Sequence, residues 1–283
     1  MFVRPLAQAD LDAGPFWFSS IELRADGWRD QHTRSLIALD GQVPVGAGLI
    51  WTSRVHGARY WVAVVVDPER RRQGIGTALV RELARLRAQP LALMTRGFVG
   101  SPELAFADAL GARTIQVVPP MHVDVARRDA LHEATPETVP GSAVGLESLG
   151  PAWASAYEWS HAEWSPTAPN FAGALLEGLE DEVDLEATSI ALDGGGSVVA
   201  LCVAFTDGDV PVLCGETTQR DTLNGEQLVA SCLRRTLDVL AERGVNAVEM
   251  DGHVSDPHWL PAWIQLEPTG GWFRLVEIDP KEA

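Results

Sequence analysis

The chain has 283 residues, of which 46% are hydrophobic, and its formal net charge is −17. This length exceeds the roughly 100–200 residues of a single domain, so two domains with separate cores are expected. Residues 1–130 carry a net charge of +3 and residues 131–283 a net charge of −20, which disfavours nucleic acid and anionic membranes as partners of the second half.

The first half of the chain predicts an alternation of short strands and helices. In chain order, the pattern predicts a strand at 2–6, a helix that begins at 9–10, a hairpin of strands 35–39 and 43–51, and a strand at 60–66. After a Gly-rich turn, the pattern predicts a helix from residue 75, a strand at 91–94, a helix at 102–110, and closing strands at 114–118 and 121–125. Of these elements, the strand that leads through the Gly-rich turn into a helix gives the most information about a binding site.

This strand, turn and helix have the build of a phosphate-binding site. Val62–Val66 is an apolar β-branched run, Asp67–Pro68 ends it, and apolar residues then recur at helical spacing from Ile75. Free backbone N–H groups and the positive end of the helix dipole meet where such a helix begins. Gly74 and Gly76 leave the backbone there open to an anion.

Two common phosphate motifs do not fit this segment. A nucleotide triphosphate loop needs a lysine, but the single lysine of the chain is Lys281, and the dinucleotide fingerprint needs a third glycine where Leu79 stands. The remaining pattern is Arg71-x-x-Gly74-x-Gly76, which resembles the acetyl-coenzyme A signature of the GNAT superfamily of N-acetyltransferases. The order of elements over the first half is also similar to that of this family.

The second half predicts the same order of elements. Strands are expected at 188–192, 195–204 and 210–217, a helix around 228–240, a strand at 245–250, a helix at 259–266 and a last strand at 272–278. The polar, Pro-containing stretch 135–142 is the expected linker. The resemblance therefore implies an α+β (α/β) fold of two GNAT-like domains, 1–130 and 131–283, each a mixed, mostly antiparallel twisted sheet flanked by helices.

The phosphate loop of the second half is degenerate. If Gly225 is laid on Gly74, Thr222 takes the arginine position and Gln227 the second glycine position, with Glu226 between the two glycine positions. A carboxylate there would face pyrophosphate, so we expect this half not to bind coenzyme A and to serve as a structural partner or a wall of the substrate pocket. The tandem layout resembles that of the actinobacterial mycothiol synthases, which carry the intact loop in the second half instead.

The resemblance places the cofactor contacts in the first half. The strand residues Val64, Val65 and Val66 would bind the pantetheine arm through their backbone, and one of their N–H groups would polarise the acyl carbonyl. Ser101 stands where the family usually has an asparagine. The implied cofactor is acetyl-coenzyme A as acetyl donor. Its pyrophosphate would be held by the loop residues Arg71, Arg72, Gln73, Gly74, Ile75, Gly76 and Thr77.

The proton-transfer groups depart from the family pattern. Ala107 replaces the tyrosine that many members use to protonate the leaving thiolate, and Tyr60 takes the position of a glutamate base on the cofactor strand. Tyr60 is one candidate for proton transfer, with packing as the alternative role. Glu22 lies in the segment Phe16–Trp28, which would form the substrate-side helices, and is the second candidate, for a base or for amine recognition. The alternative for Glu22 is an exposed surface charge.

Three functions remain compatible with these residues. The intact loop favours an N-acetyltransferase that acts on a small, cationic amine by direct attack on acetyl-coenzyme A. The missing tyrosine favours a non-catalytic acyl-coenzyme A sensor, and a protein or peptide acetyltransferase would need an open acidic groove.

The remaining features predict a cytoplasmic protein without a metal. Cys202, Cys214 and Cys232 lack metal-ligand spacing and fall at apolar positions, so reduced core residues are expected. The N-terminal residues lack the pattern of a leader, and no apolar run approaches the ~20 residues of a membrane span. The tandem domains are compatible with a monomer, and the oligomeric state stays open.

Overall fold

The computed structural model describes residues 1–135 and 138–279, and the chain divides into two compact units. Unit 1 comprises Met1–Ile115 together with the segment that begins at Leu275. Unit 2 comprises Gln116–Arg274. The second unit is therefore inserted between the first part of unit 1 and its last strand.

The boundary between the units lies after Ile115, earlier in the chain than the expected boundary at residue 130. Residues near 130 are held within unit 2, where the Arg128 guanidinium pairs with Asp238 at 3.0 Å. Two residues of the expected linker, 136 and 137, lie outside the described residues. The stretch that follows them is a strand, Thr138–Pro140, rather than a linker.

Unit 1 is built on a seven-stranded sheet. Its strands are β1 (Phe2–Pro5), β2 (Arg34–Asp40), β3 (Val43–Thr52), β4 (Tyr60–Val66), β5 (Leu93–Phe98), β6 (Arg113–Val118) and the last strand of the chain, β13 (Phe273–Ile278). Its helices are α1 (Gln8–Asp12), α2 (Ile75–Arg85) and α3 (Pro102–Ala109). The strand order is β1-β2-β3-β4-β5-β13-β6, with antiparallel pairing from β1 to β4 and parallel pairing between β4 and β5.

The helices expected over Phe16–Trp28 reduce to one short 3₁₀ turn, Phe16–Ser20. The rest of the segment is an irregular loop that Asp26 ties to the sheet. Its carboxylate accepts from the Ser35 backbone N–H at 2.8 Å and from the Arg34 guanidinium at 2.9 Å. A side chain that bonds the backbone in this way competes with helix formation.

The sheet of unit 1 separates two apolar clusters. Helix α2 covers one face because Ile75, Leu79 and Leu83 lie on the same side of the helix, and each is buried. Burial of one such side chain contributes about 1.5–3 kcal/mol. On the opposite face, the 3₁₀ turn buries Trp17 and Phe18 against the sheet. The central strand β4 is thereby covered on both faces.

Unit 2 repeats this order of elements around a six-stranded sheet. Its strands are β7 (His122–Asp124), β8 (Thr138–Pro140), β9 (Ser189–Leu192), β10 (Val198–Phe205), β11 (Val212–Thr217) and β12 (Ala247–Met250). Its helices are α4 (Gly145–His161), α5 (Phe171–Leu175), α6 (Leu179–Glu182), α7 (Gly225–Glu242) and α8 (Trp259–Gln265). The strand order is β7-β12-β11-β10-β9-β8, in which β11 and β12 are parallel. The expected fold class, two mixed twisted sheets flanked by helices, is confirmed.

Two strands lie in a different sheet from the one expected. The segment 121–125 was expected to close the first domain, but β7 pairs antiparallel with β12 of unit 2. The strand expected at 272–278 in the second domain is β13, which lies between β5 and β6 of unit 1. Periodicity predicts that such a segment is a strand, but the choice of neighbour depends on contacts distant in sequence.

An ion-pair cluster fixes β13 in unit 1. The Glu277 carboxylate of β13 pairs with the guanidinium groups of Arg59 and Arg113, the latter at 2.9 Å. The Glu277 side chain is only 13% exposed. Burial alone would raise the pKa of Glu277, but the hydrogen bonds from the two arginines outweigh it and hold that pKa below its ordinary value.

None of the helices in the described part of the chain has the length and apolar character that crossing a membrane requires. The three cysteines are free and buried, and burial raises the pKa of each thiol. These thiols therefore resist ionisation and behave as small core residues.

The Glu277 substitution E277Q is expected to lower the free energy of unfolding at pH 7 by about 1.5–3 kcal/mol, because two arginines lose a charged acceptor. The contribution of a carboxylate with a lowered pKa is present above its unfolded pKa of about 4.3 and is lost as the pH falls below it. The stability difference between wild type and variant should therefore shrink between about pH 5 and about pH 3.

Denaturant unfolding over this pH range measures the effect. The exposed glutamate of β12 gives a matched control, since E249Q should change stability by less than about 0.5 kcal/mol. Equal stability of E277Q and wild type at pH 7 would show that the cluster does not hold β13.

Candidate active site

The two central strands of unit 1, β4 and β5, separate soon after they meet. Their parallel ladder contains two residue pairs, Tyr60↔Leu93 and Trp61↔Met94, although both strands continue for several residues. Beyond Trp61, the edge of β4 that faces β5 has no ladder partner in the described part of unit 1. Backbone groups on such an edge can bind an extended chain that carries amides.

The register determines which residues of β4 face this opening. The Tyr60 N–H donates to the Ala92 carbonyl at 3.0 Å, on the side of β5. Because the backbone groups of alternate strand residues point the same way, those of Val64 and Val66 also face the opening, whereas those of Val65 face β3. The backbone contact therefore stays a prediction for Val64 and Val66, whose backbone groups face the opening, and the structure argues against Val65.

The turn after β4 gathers backbone N–H groups at the start of α2. The backbone has a positive φ at Arg72 (64°) and at Gly74 (80°), and turns of this kind collect amides on one concave side. The first bond of the helix runs from the Ala78 N–H to the Gly74 carbonyl at 3.0 Å. The amides of Ile75, Gly76 and Thr77 therefore have no acceptor within the helix and lie at its positive end.

The three arginines of the turn have different surroundings. Arg70 pairs with Asp40 at 2.9 Å and donates to the side chain of Gln73 at 3.2 Å, so both side chains are engaged within the protein. Arg71 and Arg72 are exposed beside the helix start. Their charges, with the dipole of α2, suit an anionic ligand such as pyrophosphate.

Gly76 allows two parts of the site to approach each other. A Cβ at this position would lie 3.1 Å from the Phe106 ring of α3 and 3.6 Å from a methyl group of Val66. A larger side chain would therefore enter the space between α2, α3 and β4.

A cavity of about 520 Å³ opens where β4 and β5 separate. One group of lining residues is apolar and comes from the strands and helices around the opening: Val62, Val64, Val80, Phe106, Ala107 and Ile278. A second group carries aromatic and polar side chains: Glu22, Trp51, Trp61, Thr95 and Arg96, with the apolar Ile21 beside Glu22. Ala63 and Glu103 complete the lining. Ligand cavities typically have this size and this mixture of surfaces.

Tyr60 has a packing role in the structure. Its side chain is fully buried, and it is not among the residues that line the cavity. Its hydroxyl accepts from the Ala88 N–H at 3.1 Å and lies 2.8 Å from Nδ1 of His32. A phenol held in this way inside the protein has no access to a substrate, so the structure argues against Tyr60 as a proton-transfer group.

The other two predicted residues have different positions. Glu22 lines the cavity with a side chain that is 90% exposed, and it lies 3.2 Å from the Arg24 guanidinium. Such an exposed pair contributes little and leaves the carboxylate available. Ser101 directly precedes the first residue of α3, and its hydroxyl accepts a hydrogen bond from the Leu104 N–H at 3.3 Å. The Ser101 hydroxyl therefore acts as a helix cap.

Among the cavity residues that sequence reasoning missed are Trp51, Trp61, Arg96 and Glu103. A signal was present for two of them. Glu103 precedes Ala107 by four residues, and this spacing places both on one face of α3. Trp61 is an odd-numbered residue of β4, so alternation places its side chain on the opposite face of the strand from those of Val64 and Val66.

Unit 2 contains the corresponding strand pair, β11 and β12, but side chains fill the slot between them, meaning the space where the two strands separate. β11 and β12 pair over Val212↔Glu249 and Leu213↔Met250 and then separate. The indole of Trp259, at the start of α8, is fully buried there and donates to the Asp251 carbonyl at 2.9 Å.

Two glycines of unit 2 make room for this indole. A Cβ at Gly215 of β11 would lie 3.0 Å from the Trp259 ring, and a Cβ at Gly252 would lie 2.5 Å from it. The indole therefore occupies the space between the separating strands, and an extended ligand cannot enter it.

The start of α7 is filled as well. Asn224 has a positive φ of 56° before the first helical residue, Gly225, and a Cβ at Gly225 would lie 2.7 Å from the His258 ring. The Glu216 carboxylate holds this ring at 2.6 Å from Nδ1. Burial raises the pKa of Glu216, although hydrogen bonds from Thr217 and His258 act against it. The His258 ring thus covers the start of α7 at Gly225, whereas a Cβ at Gly74 of unit 1 would have no neighbour within 4 Å.

The part of the chain that the structure describes contains no group of three or more His, Cys, Asp or Glu side chains that could hold a metal ion.

Solved structures with similar folds cover almost the whole chain. A GCN5-related N-acetyltransferase from Sphaerobacter thermophilus aligns with a TM-score of 0.63 at 15% identity, over 98% of this chain and 94% of that one. A tandem GNAT protein from the clavulanic acid biosynthesis pathway aligns with a TM-score of 0.57 at 17% identity, over 98% and 97%. Saccharomyces cerevisiae N-myristoyltransferase with bound myristoyl-CoA aligns with a TM-score of 0.52 at 7% identity, over 89% and 71%.

At these identities the similarities establish the fold alone, which is a tandem GNAT fold. Residues 5–93, which lie in unit 1, match the model of the Acetyltransferase (GNAT) family. This family implies acyl transfer from an acyl-coenzyme A. A search of curated proteins finds no match.

We expect one coenzyme A per chain, because the slot and helix start are open in unit 1 and filled in unit 2. The substitution G76L should weaken binding by about tenfold or more, since the leucine would meet Phe106 and cover the amides of α2. Isothermal titration calorimetry measures both the stoichiometry and the affinity.

The matched control is G194L, because a Cβ at Gly194 has no neighbour within 4 Å. This variant should bind like wild type. Two equivalent sites in wild type, or unchanged affinity in G76L, would contradict the assignment of the site to unit 1.

Proposed function

We propose that this protein is an N-acetyltransferase that transfers the acetyl group of acetyl-coenzyme A to a small, cationic amine. The observation that carries the proposal is the continuous cavity of unit 1, which joins the open edge of β4 to a set of polar and aromatic side chains. The cofactor supplies an activated acetyl group as a thioester. In the reaction a C–N bond forms, the C–S bond breaks, the amine loses a proton, and the thiolate gains one.

The residues of unit 1 fit this cofactor. The backbones of Val64 and Val66 offer an N–H and a carbonyl each to the amides of a pantetheine arm. The amides at the start of α2 and the exposed side chains of Arg71 and Arg72 would hold the pyrophosphate. The apolar side chains around Phe106 would surround the thioester end of the cofactor.

Two carboxylates line the acceptor part of the cavity, Glu22 and Glu103. Both are exposed, so they attract an ammonium group at the mouth and can receive its proton through a water molecule. Ala107 leaves α3 without a phenol for the leaving thiolate. Because the conjugate thiol has a pKa of ~8.5, the thiolate can take its proton from water that enters the open cavity. Proton transfer in this site therefore depends on the rim of the cavity.

A non-catalytic acyl-coenzyme A sensor is the second candidate. Two observations favour it: Ala107 replaces the expected phenol, and Tyr60 is fully buried. A peptide acceptor has no comparable support in the described cavity.

Release of free coenzyme A with a panel of small amines tests the proposal, and mass spectrometry of each amine detects the added acetyl group. E22Q and E103Q should each lower kcat/KM by about tenfold or more and alter the pH profile, because a base contributes at least this much. The exposed E249Q is the control and should retain wild-type rates. Binding of acetyl-coenzyme A without acetylation of any amine would identify the sensor instead.

The carboxylates at the rim of the cavity also predict that the Michaelis constant of a cationic amine depends on salt. The two carboxylates of the cavity should raise the local concentration of a cationic amine, and salt screens this attraction beyond ~8–10 Å. The Michaelis constant of the amine should therefore rise with ionic strength, while that of a neutral acceptor stays flat. A Michaelis constant for the cationic amine that is flat between low and high salt would contradict this prediction.

A further inference from the structure

A short segment, residues 21–25, borders the acceptor part of the cavity in unit 1, and we call it the acceptor strap. Ile21 and Glu22 of this segment line the cavity. The backbone of Ile21 is extended, and side chains alternate along such a chain. Ile21 and Leu23 pack on the same apolar cluster as the 3₁₀ turn, whereas the side chains of Glu22 and Arg24 are exposed. The acceptor strap thus presents Glu22 to the cavity from a segment outside the sheet.

The backbone hydrogen bonds of the acceptor strap are local. The Ile21 N–H donates to the Phe18 carbonyl at 3.4 Å, and the Leu23 N–H donates to the Ile21 carbonyl at 2.9 Å. Neither bond reaches a strand of the sheet. A segment with so few bonds to its surroundings has low local stability, so the position of Glu22 depends on how the two ends of the acceptor strap are held.

Packing holds the first end, and one side chain holds the second. The 3₁₀ turn before the acceptor strap is buried against the sheet. After the acceptor strap, the Asp26 carboxylate accepts from the Ser35 N–H at 2.8 Å and from two nitrogens of the Arg34 guanidinium at 2.9 and 3.0 Å. The Asp26 N–H donates to the Leu6 carbonyl at 2.8 Å. Asp26 therefore connects the end of the acceptor strap to the start of β2.

The contact between Asp26 and Arg34 fixes direction as well as distance. Both carboxylate oxygens meet the guanidinium, and such two-pronged contacts are among the strongest hydrogen bonds of side chains. The two side chains are only 20% and 27% exposed, so water competes little for them. Asp26 follows Glu22 by four residues, which is about 13 Å of extended chain. A shift of Asp26 is therefore passed on to Glu22.

We propose that Asp26 is a positioning residue for the acceptor amine, because its contacts with Arg34 and Ser35 determine where the acceptor strap holds Glu22. This inference rests on the proposed function, in which Glu22 attracts the ammonium group of the amine. Asp26 itself does not line the cavity. Its loss should therefore weaken the use of the amine and leave the binding of acetyl-coenzyme A along β4 and α2 unchanged.

The first experiment compares the two substrates in D26N. This substitution replaces one carboxylate oxygen by an NH2 group, which cannot accept from the Arg34 guanidinium. The probe is the panel amine with the highest kcat/KM in wild type. Its Michaelis constant should rise by about three- to tenfold, whereas kcat and the Michaelis constant of acetyl-coenzyme A should change by less than about twofold. R34K keeps the charge but loses the two-pronged contact, and it should give a smaller rise.

Asp10 provides a matched control for D26N. Its carboxylate also meets an arginine, Arg4, with both oxygens at 2.7 Å, and it accepts from the Ala7 N–H at 2.8 Å. Asp10 belongs to α1 and does not line the cavity. D10N should therefore lower the melting temperature about as much as D26N does and leave both Michaelis constants unchanged. An equal rise for the amine in D10N, or no rise in D26N and R34K, would overturn the proposal.

A double variant tests whether Asp26 acts through Glu22. If it does, adding D26N to E22Q should change the Michaelis constant of the amine by less than about twofold, because the group that Asp26 positions is already lost. A rise as large as in D26N alone would overturn the route through Glu22.

The last measurement does not depend on turnover. A nitroxide label on the cysteine of R24C reports the motion of the acceptor strap, and the three native cysteines are buried away from the label. Its spectrum should show faster motion in D26N than in the wild-type background, and no change in D10N. Equal spectra in all three would overturn the proposal. If no amine is acetylated but D26N still frees the label, the proposed function fails and the anchoring of the acceptor strap by Asp26 stands.

Discussion

The separation of β4 and β5 is the constraint on which the rest of the site depends. A parallel ladder of two residue pairs leaves one edge of a buried central strand without backbone partners. An edge of this kind is costly unless a ligand, a side chain or water satisfies it. In unit 1 the edge borders a cavity, and in unit 2 the indole of Trp259 occupies the corresponding space. The open strand edge is thus accommodated in two ways in the described part of the chain, by a cavity in unit 1 and by a buried indole in unit 2, and the cavity leaves room for a ligand.

The sequence alone predicted the order of elements and the Gly-containing turn before α2 well, because both depend on local patterns. Glycines at a helix start and a β-branched run before them determine the backbone over a few residues. The partners of β7 and β13 could not be predicted in this way, since each strand pairs with residues far from it along the chain. The loop around Asp26 was missed for a related reason, because its carboxylate bonds the backbone of a later strand.

The residues of the candidate site also fall into those that local sequence patterns predict and those that depend on contacts distant in sequence. Val64 and the start of α2 followed from the motif, whereas the role of Tyr60 depended on a burial that no spacing reveals. Likewise, the aligned loop of the second half predicted a loss of cofactor binding through Glu226. The structure adds a physical cause that lies elsewhere, in Trp259 and in His258, which come from a segment over 30 residues later.

The position of β13 has a consequence for how the protein is made. Unit 1 places a strand from residues 273–278 between strands from its first 118 residues, so its sheet is completed only after unit 2 has been synthesised. The usual sequence of events on the ribosome, in which the first domain folds first, is thereby reversed for the last step. During this interval the edge of β5 in the nascent first half lacks its strand neighbour, and an unpaired edge of this kind can pair with strands of other chains.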